Sequence, residues 1–268
     1  MCYICSKQQT QNTMKRAMIL VVALFATLSM WAQTPKVIAH RGYWRAEGSV
    51  QNSVSSLTHA AQLGCYGAEF DVWYTADNGL VLFHDATFNG KECEKLTAAE
   101  MVGAPLANGE PVPTLDEYLT EALKHPDIRL ILEYKTYRNS KERQWEGAEA
   151  IVKKVAEYGL QERTDYIAFS LEACRAMAHY APEAKVYYLN GELSPAKLKE
   201  EGFAGADYNK AILLSLNKGF TEEAHELGLE VNVWTVNKES EMAKAAELGI
   251  DFLTTDYPEV ALGLYNQK

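Results

Sequence analysis

Along the chain, short runs of β-branched and aromatic residues alternate with stretches whose apolar positions recur at helical spacing. The runs at 36–40, 67–74, 80–84, 128–134, 165–169, 185–189, 205–208, 230–235 and 251–254 predict strands. The segments 52–63, 114–124, 141–158, 171–180, 195–201, 215–228 and 238–248 predict amphipathic helices. Strand followed by helix at this spacing implies a parallel sheet with the helices outside it, and a chain of this size suits an α/β fold of the (β/α)8 TIM-type barrel class. Nine strands is one too many for that barrel. Asp77-Asn78-Gly79 explains the excess, because it is a tight-turn signal that joins 67–74 to 80–84 as an antiparallel β-hairpin. With the turn at Asp77 to Gly79, Ala76 faces Leu80, and the register sets Val72 near His84 and Asp71 near Asp85. Residues 86–113 lack helical periodicity and carry Asn89-Gly90, Gly103, Pro105, Asn108-Gly109, Pro111 and Pro113. The expectation is a loop-rich insertion after the second strand, about 75–113, at the barrel mouth.

The first apolar stretch is of another kind. Lys15 and Arg16 precede a run from Ala17 to Trp31 broken only by Thr27 and Ser29, and small Ala32 is followed by Gln33-Thr34-Pro35. This reads as a cleaved signal peptide over residues 1–32, with 33–268 as the barrel domain and a periplasmic or secreted location; an uncleaved anchor is the competing reading. Cleavage would remove Lys7, Lys15 and Arg16 and no acid, taking the formal charge from −10 to −13. So acidic a body argues against nucleic acid or an anionic membrane as a partner, although a local cation can still invert the field inside a pocket. After residue 32 the cysteines are Cys65, Cys93 and Cys174, an odd number without paired spacing, which argues against structural zinc and favours buried free thiols.

Candidate chemistry gathers at strand ends. His40 closes Val37-Ile38-Ala39, His84 closes Leu80-Val81-Leu82-Phe83, and Glu69 and Asp71 stand between them in sequence at i, i+2 on one strand face. Two imidazoles can act as general base and general acid near neutral pH, and two carboxylates on one face can hold a hard cation. Glu69, Asp71 and Glu133 all interrupt apolar strands, where an unpaired charge is expensive to bury. Salt bridges to Arg41 or Lys135 are the structural alternative for these acids, and a hydrogen-bonded core position is the alternative for each histidine. Trp73 alternates in phase with Glu69 and Asp71 and is expected to face the same mouth. Metal-assisted phosphoryl chemistry is the reading these residues suggest.

The motifs resemble the glycerophosphodiester phosphodiesterase family: His40-Arg41-Gly42, Glu69-Phe70-Asp71-Val72, His84-Asp85 and Leu132-Glu133-Tyr134-Lys135. The likeness continues through Phe169-Ser170, Val233-Trp234-Thr235-Val236-Asn237 and Thr254-Thr255-Asp256-Tyr257-Pro258. It implies hydrolysis of small-molecule glycerophosphodiesters to glycerol 3-phosphate and an alcohol, with His40 and His84 catalytic. It further implies Glu69, Asp71 and Glu133 around a divalent cation, Mg²⁺ or Ca²⁺, with Arg41 and Lys135 on the phosphate. Trp234, on a late strand, stands where an aromatic walls the substrate pocket, with a core tryptophan as the alternative. No stable membrane association is expected once the signal is removed. One departure stands out. Where the family carries Glu-Asn after its HRG, this chain reads Gln51-Asn52, so the pocket has a neutral amide in place of a carboxylate unless Glu47 compensates. A phospholipase D-like enzyme acting on intact lipid and a non-catalytic phosphate- or sugar-binding barrel are the alternatives.

Overall fold

The structure, a computed structural model, describes residues 34–215 and 219–266. The expected signal segment 1–32 lies outside them. Eight parallel strands close into a barrel: β1 (Lys36–Ala39), β2 (Gly67–Tyr74), β6 (Arg129–Lys135), β7 (Thr164–Ala168), β8 (Val186–Tyr188), β9 (Gly205–Asn209), β10 (Glu230–Trp234) and β11 (Phe252–Thr255). Each pairs with its neighbour in order, and β1 pairs with both β11 and β2 to complete the ring. Helices fill the crossovers, among them Val54–Leu63, Lys141–Glu157, Leu171–Tyr180 and Glu239–Glu247. Pro258–Tyr265, a helix absent from the sequence expectation, begins with proline at its first turn, where a missing N–H costs nothing.

Strand alternation sorts the side chains into two cores. Ala68, Phe70, Val72 and Tyr74 of β2 point out to the helices with Leu130, Leu132, Tyr134, Tyr166, Val231 and Val233. The intervening positions point into the barrel, where Ile38, Ile131, Ile167, Tyr187, Leu189 and Phe252 form an apolar plug. Gly205 permits close strand approach, since a Cβ there would lie 1.8 Å from the Glu230 carbonyl oxygen. The three described cysteines, Cys65, Cys93 and Cys174, are free and buried.

The ninth strand is β3 (Leu80–Leu82), antiparallel to β2 as the turn signal requires. It occupies the edge of β2 that β1 leaves, because β1 pairs only with Gly67 and Ala68. The register differs from expectation by two residues: Val72 faces Leu82 and Tyr74 faces Leu80, and the Phe83 amide donates to the Asp71 carbonyl at 3.2 Å. The turn is longer than its Asn-Gly core. Thr75 Oγ1 donates to Asp77 Oδ1 and accepts from the Gly79 amide, while Asp77 also takes the Ala98 amide, so the loop spans Thr75 to Gly79. A slip of two preserves the facing of every side chain, and His84 still arrives at the mouth.

The insertion is more ordered than its composition predicts. It holds β4 (Thr87–Phe88) paired with β5 (Lys91–Glu92), and a five-residue helix Ala98–Val102 closed by a Thr97/Glu100 capping box. Elements this short carry no readable periodicity. They enclose a satellite core of Val81, Phe88, Cys93, Leu96, Met101 and Val112 around Trp73.

Candidate active site

The catalytic candidates meet where barrel strands end. In the turn after β1, Arg41 and Gly42 take positive φ of 55° and 72°, and a Cβ on Gly42 would lie 2.3 Å from Ser56 Oγ. Only glycine fits there. The turn lets the Arg41 amide donate to Glu69 Oε2 at 2.7 Å and sends the guanidinium across the mouth. A cavity of about 220 Å³ is lined by polar His40, Arg41, Glu69, His84, Glu133 and Lys135 together with apolar Ile167, Leu189, Phe169 and Trp234. Trp234 is anchored by its indole N–H to the Asp207 carbonyl at 2.9 Å and meets Phe169 edge-on.

Glu69, Asp71 and Glu133 each offer an oxygen, all within 4.8 Å of one another and all buried. Glu69 Oε1, Asp71 Oδ1 and Glu133 Oε1 lack hydrogen bonds, although Lys135 Nζ lies 3.2 Å from Asp71 Oδ1 and 2.7 Å from Glu133 Oε1. Oxygens about 2.1–2.6 Å from a shared hard cation would be separated by comparable distances, so the cluster fits one. Burial, with Asp71 and Glu133 nearby, raises Glu69 well above the usual carboxylate range. Burial likewise raises Glu133 to about 7 against the pull of Lys135. Burial would raise Asp71 too, but Lys135, His84, the Asn52 amide and Arg41 together hold it below its ordinary value. Lys135 therefore pairs with the acids and lines the cavity at once.

Each histidine is oriented by its own acid. His40 Nδ1 lies 2.8 Å from Asp256 Oδ1, and its Nε2 faces Glu69 Oε2 at 4.0 Å. Burial tends to raise Asp256, but His40, Asn237 and Trp44 bring it down to about 2. The carboxylate is thus ionised and accepts, so His40 Nδ1 is the donating nitrogen and Nε2 is the one turned toward Glu69. His84 Nδ1 lies 2.7 Å from Asp85 Oδ1, and burial lowers the His84 pKa. His84 also lines a second, outer cavity of about 570 Å³ with Trp44, Arg45, Gln51, Phe83 and Leu106.

Three of the expected pocket residues have other tasks. Trp73 is 1% exposed and belongs to the core beneath the insertion, which needs a large apolar group from β2; it also lines a recess with His84, Glu133 and Lys135. Asn52, buried and at φ 57°, receives the Asp71 amide and donates to Asp71 Oδ2 at 2.8 Å, so it positions a carboxylate. Gln51 Oε1 accepts from Arg41 Nη1 at 2.5 Å and borders the outer cavity, outside the acidic cluster. Glu47 is exposed and does not compensate. Sequence reasoning missed Asp256, Asn237, Asp207 and Asn232. The signal was present, since each is a polar residue within or just beyond an apolar strand, as Glu133 is.

Known proteins resemble this chain in sequence and fold. A family model described as "Glycerophosphoryl diester phosphodiesterase family" matches residues 40–260. A glycerophosphodiester phosphodiesterase of Caldanaerobacter subterraneus is 28% identical over 249 residues, covering 85% of this chain and 96% of that protein. The crystal structure of a glycerophosphodiester phosphodiesterase from Parabacteroides distasonis is 45% identical, with a TM-score of 0.84 over 87% of this chain and 97% of that one. A phosphodiesterase of Oleispira antarctica, solved with the product sn-glycerol-3-phosphate, shares the fold at 22% identity and a TM-score of 0.76, covering 88% of this chain and 99% of its own.

Proposed function

This chain belongs to the glycerophosphoryl diester phosphodiesterase family and hydrolyses glycerophosphodiesters, and we propose that it does so with His40 and His84 as the proton-transfer pair beside a divalent cation. The observation that carries this reading is the meeting on one cavity of two acid-oriented histidines with Glu69 and Glu133, which cluster with buried Asp71. Charge supports the cation. With all three carboxylates ionised around a cation, Arg41 and Lys135 leave one net negative charge, and a phosphodiester brings another; a divalent ion balances both. Glu69, Asp71 and Glu133 would hold it, and all-oxygen ligands suit Mg²⁺ or Ca²⁺. When bound, such an ion supplies Lewis-acid stabilisation of phosphate charge and lowers the pKa of a hydroxyl beside it.

The protein's own groups divide the remaining work. Arg41 presents a planar fork to the phosphate oxygens, and Lys135 adds a point charge. With Nδ1 committed to Asp256, His40 Nε2 accepts the proton of the glycerol 2-hydroxyl as that oxygen attacks phosphorus. The bond from phosphorus to the headgroup oxygen breaks, leaving a cyclic phosphate. His84 borders the outer cavity through which the alcohol leaves and, in its protonated form held by Asp85, gives its proton to the departing alkoxide. Water then opens the ring with the two roles exchanged. The reaction runs outside the cytoplasm if residues 1–32 act as the export signal their pattern suggests.

Assay of choline, ethanolamine, glycerol and inositol headgroup diesters, with and without chelator, tests this function. Release of glycerol 3-phosphate that stops on metal removal is expected. Full turnover after confirmed metal removal would overturn the cation's role, and inertness toward every diester would overturn the substrate class.

A further inference from the structure

The inner end of the cavity is polar, and the proton-transfer chemistry leaves it unused. Asp207 projects inward from β9, is 2% exposed and lines the cavity with Thr254. Its Oδ1 accepts from Asn232 Nδ2 at 2.8 Å, and the same amide reaches Thr254 Oγ1 at 2.8 Å. No described residue donates to Asp207 Oδ2, and Asn232 Oδ1 is buried without a partner. Beneath them lie Ile38, Ile131, Ile167, Tyr187 and Phe252, so Asp207 forms the boundary between the cavity and the apolar plug. A carboxyl oxygen left unpaired there costs free energy until a ligand or water bonds it.

The chemistry of this floor selects an alcohol. A phosphate would be repelled by the carboxylate and drawn instead to Arg41 and Lys135, which line the same cavity. A hydroxyl both donates and accepts, so it pairs with Asp207 whether the carboxyl is ionised or neutral. In the same cavity, Ile167, Leu189, Phe169 and Trp234 offer apolar walls for a short carbon chain. We propose that Asp207, held by Asn232 and Thr254, bonds the terminal hydroxyl of the glycerol arm and thereby decides which of the two ester arms enters the cavity. This rests on the reading that the cavity hydrolyses glycerophosphodiesters. The glycerol arm goes inward, setting its 2-hydroxyl at His40, and the headgroup stays on the His84 side.

The test compares sn-glycero-3-phosphocholine with the propane-1,2-diol phosphocholine that keeps the 2-hydroxyl and lacks the terminal one. Wild-type protein should prefer the glycerol diester in kcat/KM by at least about tenfold. Asp207→Leu, which keeps the branch at Cγ and removes both oxygens, should bring the preference to within about twofold, chiefly by losing activity on the glycerol diester. Calorimetry should show weaker binding of sn-glycerol 3-phosphate to that variant with inorganic phosphate binding unchanged, a split that general damage to the barrel would not produce. If Asp207→Leu does not melt cooperatively, Asp207→Ala takes its place. Equal wild-type rates on the two diesters, or a preference that survives the substitution, overturns the proposal. Wild-type inertness toward both diesters would count against the substrate class, and the two phosphates would still test Asp207 by binding.

Discussion

Asp256 acts on His40 through a direct hydrogen bond and through charge, and the same contact makes it titrate far from its ordinary value. A depressed carboxylate stabilises the fold fully above its unfolded pKa of about 3.9 and loses that contribution as pH falls through the folded value. With a folded value of about 2, wild-type protein should lose roughly 2 kcal/mol between pH 4 and pH 2 that Asp256→Asn never had. Denaturant melts of both proteins across that range measure the difference. The variant should also lose kcat on the order of 10²-fold at neutral pH, since an amide no longer fixes the His40 tautomer. Gln51 leads to a different expectation. Because it caps Arg41 and stands outside the acidic cluster, Gln51→Glu should leave divalent-ion affinity unchanged by calorimetry. It should raise KM, as a carboxylate engages the guanidinium that would otherwise meet phosphate. Tighter ion binding would show that the side chain reaches the cation after all.

At the scale of the element, β2 carries more of the site than any loop. Its inward positions are Gly67, Glu69, Asp71 and Trp73, one series of alternate residues that serves two ends. The first acid receives the Arg41 amide, the second receives Asn52, and the tryptophan holds the insertion from which His84 projects. Trp73→Ala should therefore cost about 3–5 kcal/mol in denaturant unfolding. It should also lower kcat more than it raises KM, because His84 follows a strand of three residues whose backing is that ring. A folded variant with normal kcat would separate the insertion's stability from the chemistry. The hairpin shows why register escaped the sequence. Asn78-Gly79 marks a turn, but the length of the loop was set by Asp77 reaching the Ala98 amide, a contact with residues twenty-one further on.

For the whole molecule, the acidic cluster links cation binding to stability. Three mutually repelling carboxylates close the mouth at some cost, and an ion that binds only the folded state adds RT ln(1 + [ion]/Kd), about 2.7 kcal/mol at a hundredfold excess over Kd. Mg²⁺ or Ca²⁺ should raise the Tm of chelator-treated protein, and Glu69→Gln, Asp71→Asn or Glu133→Gln should each shrink that rise. An identical Tm with and without ion would count against the site. The barrel, its antiparallel excursion and the gathering of His40, His84, Glu69, Asp71 and Glu133 were determined by the sequence itself. Period-two alternation, strand-then-helix spacing and charges set in apolar strands are local signals that do not depend on what lies opposite. Only the tertiary structure decided that Asp256 orients His40, that Gln51 answers Arg41, that Trp73 is core, and that Asp207 floors the cavity. Those roles depend on which strand ends become neighbours when the barrel closes: Asp256 lies 216 residues from His40 in sequence, yet 2.8 Å from it in space, because β11 pairs with β1.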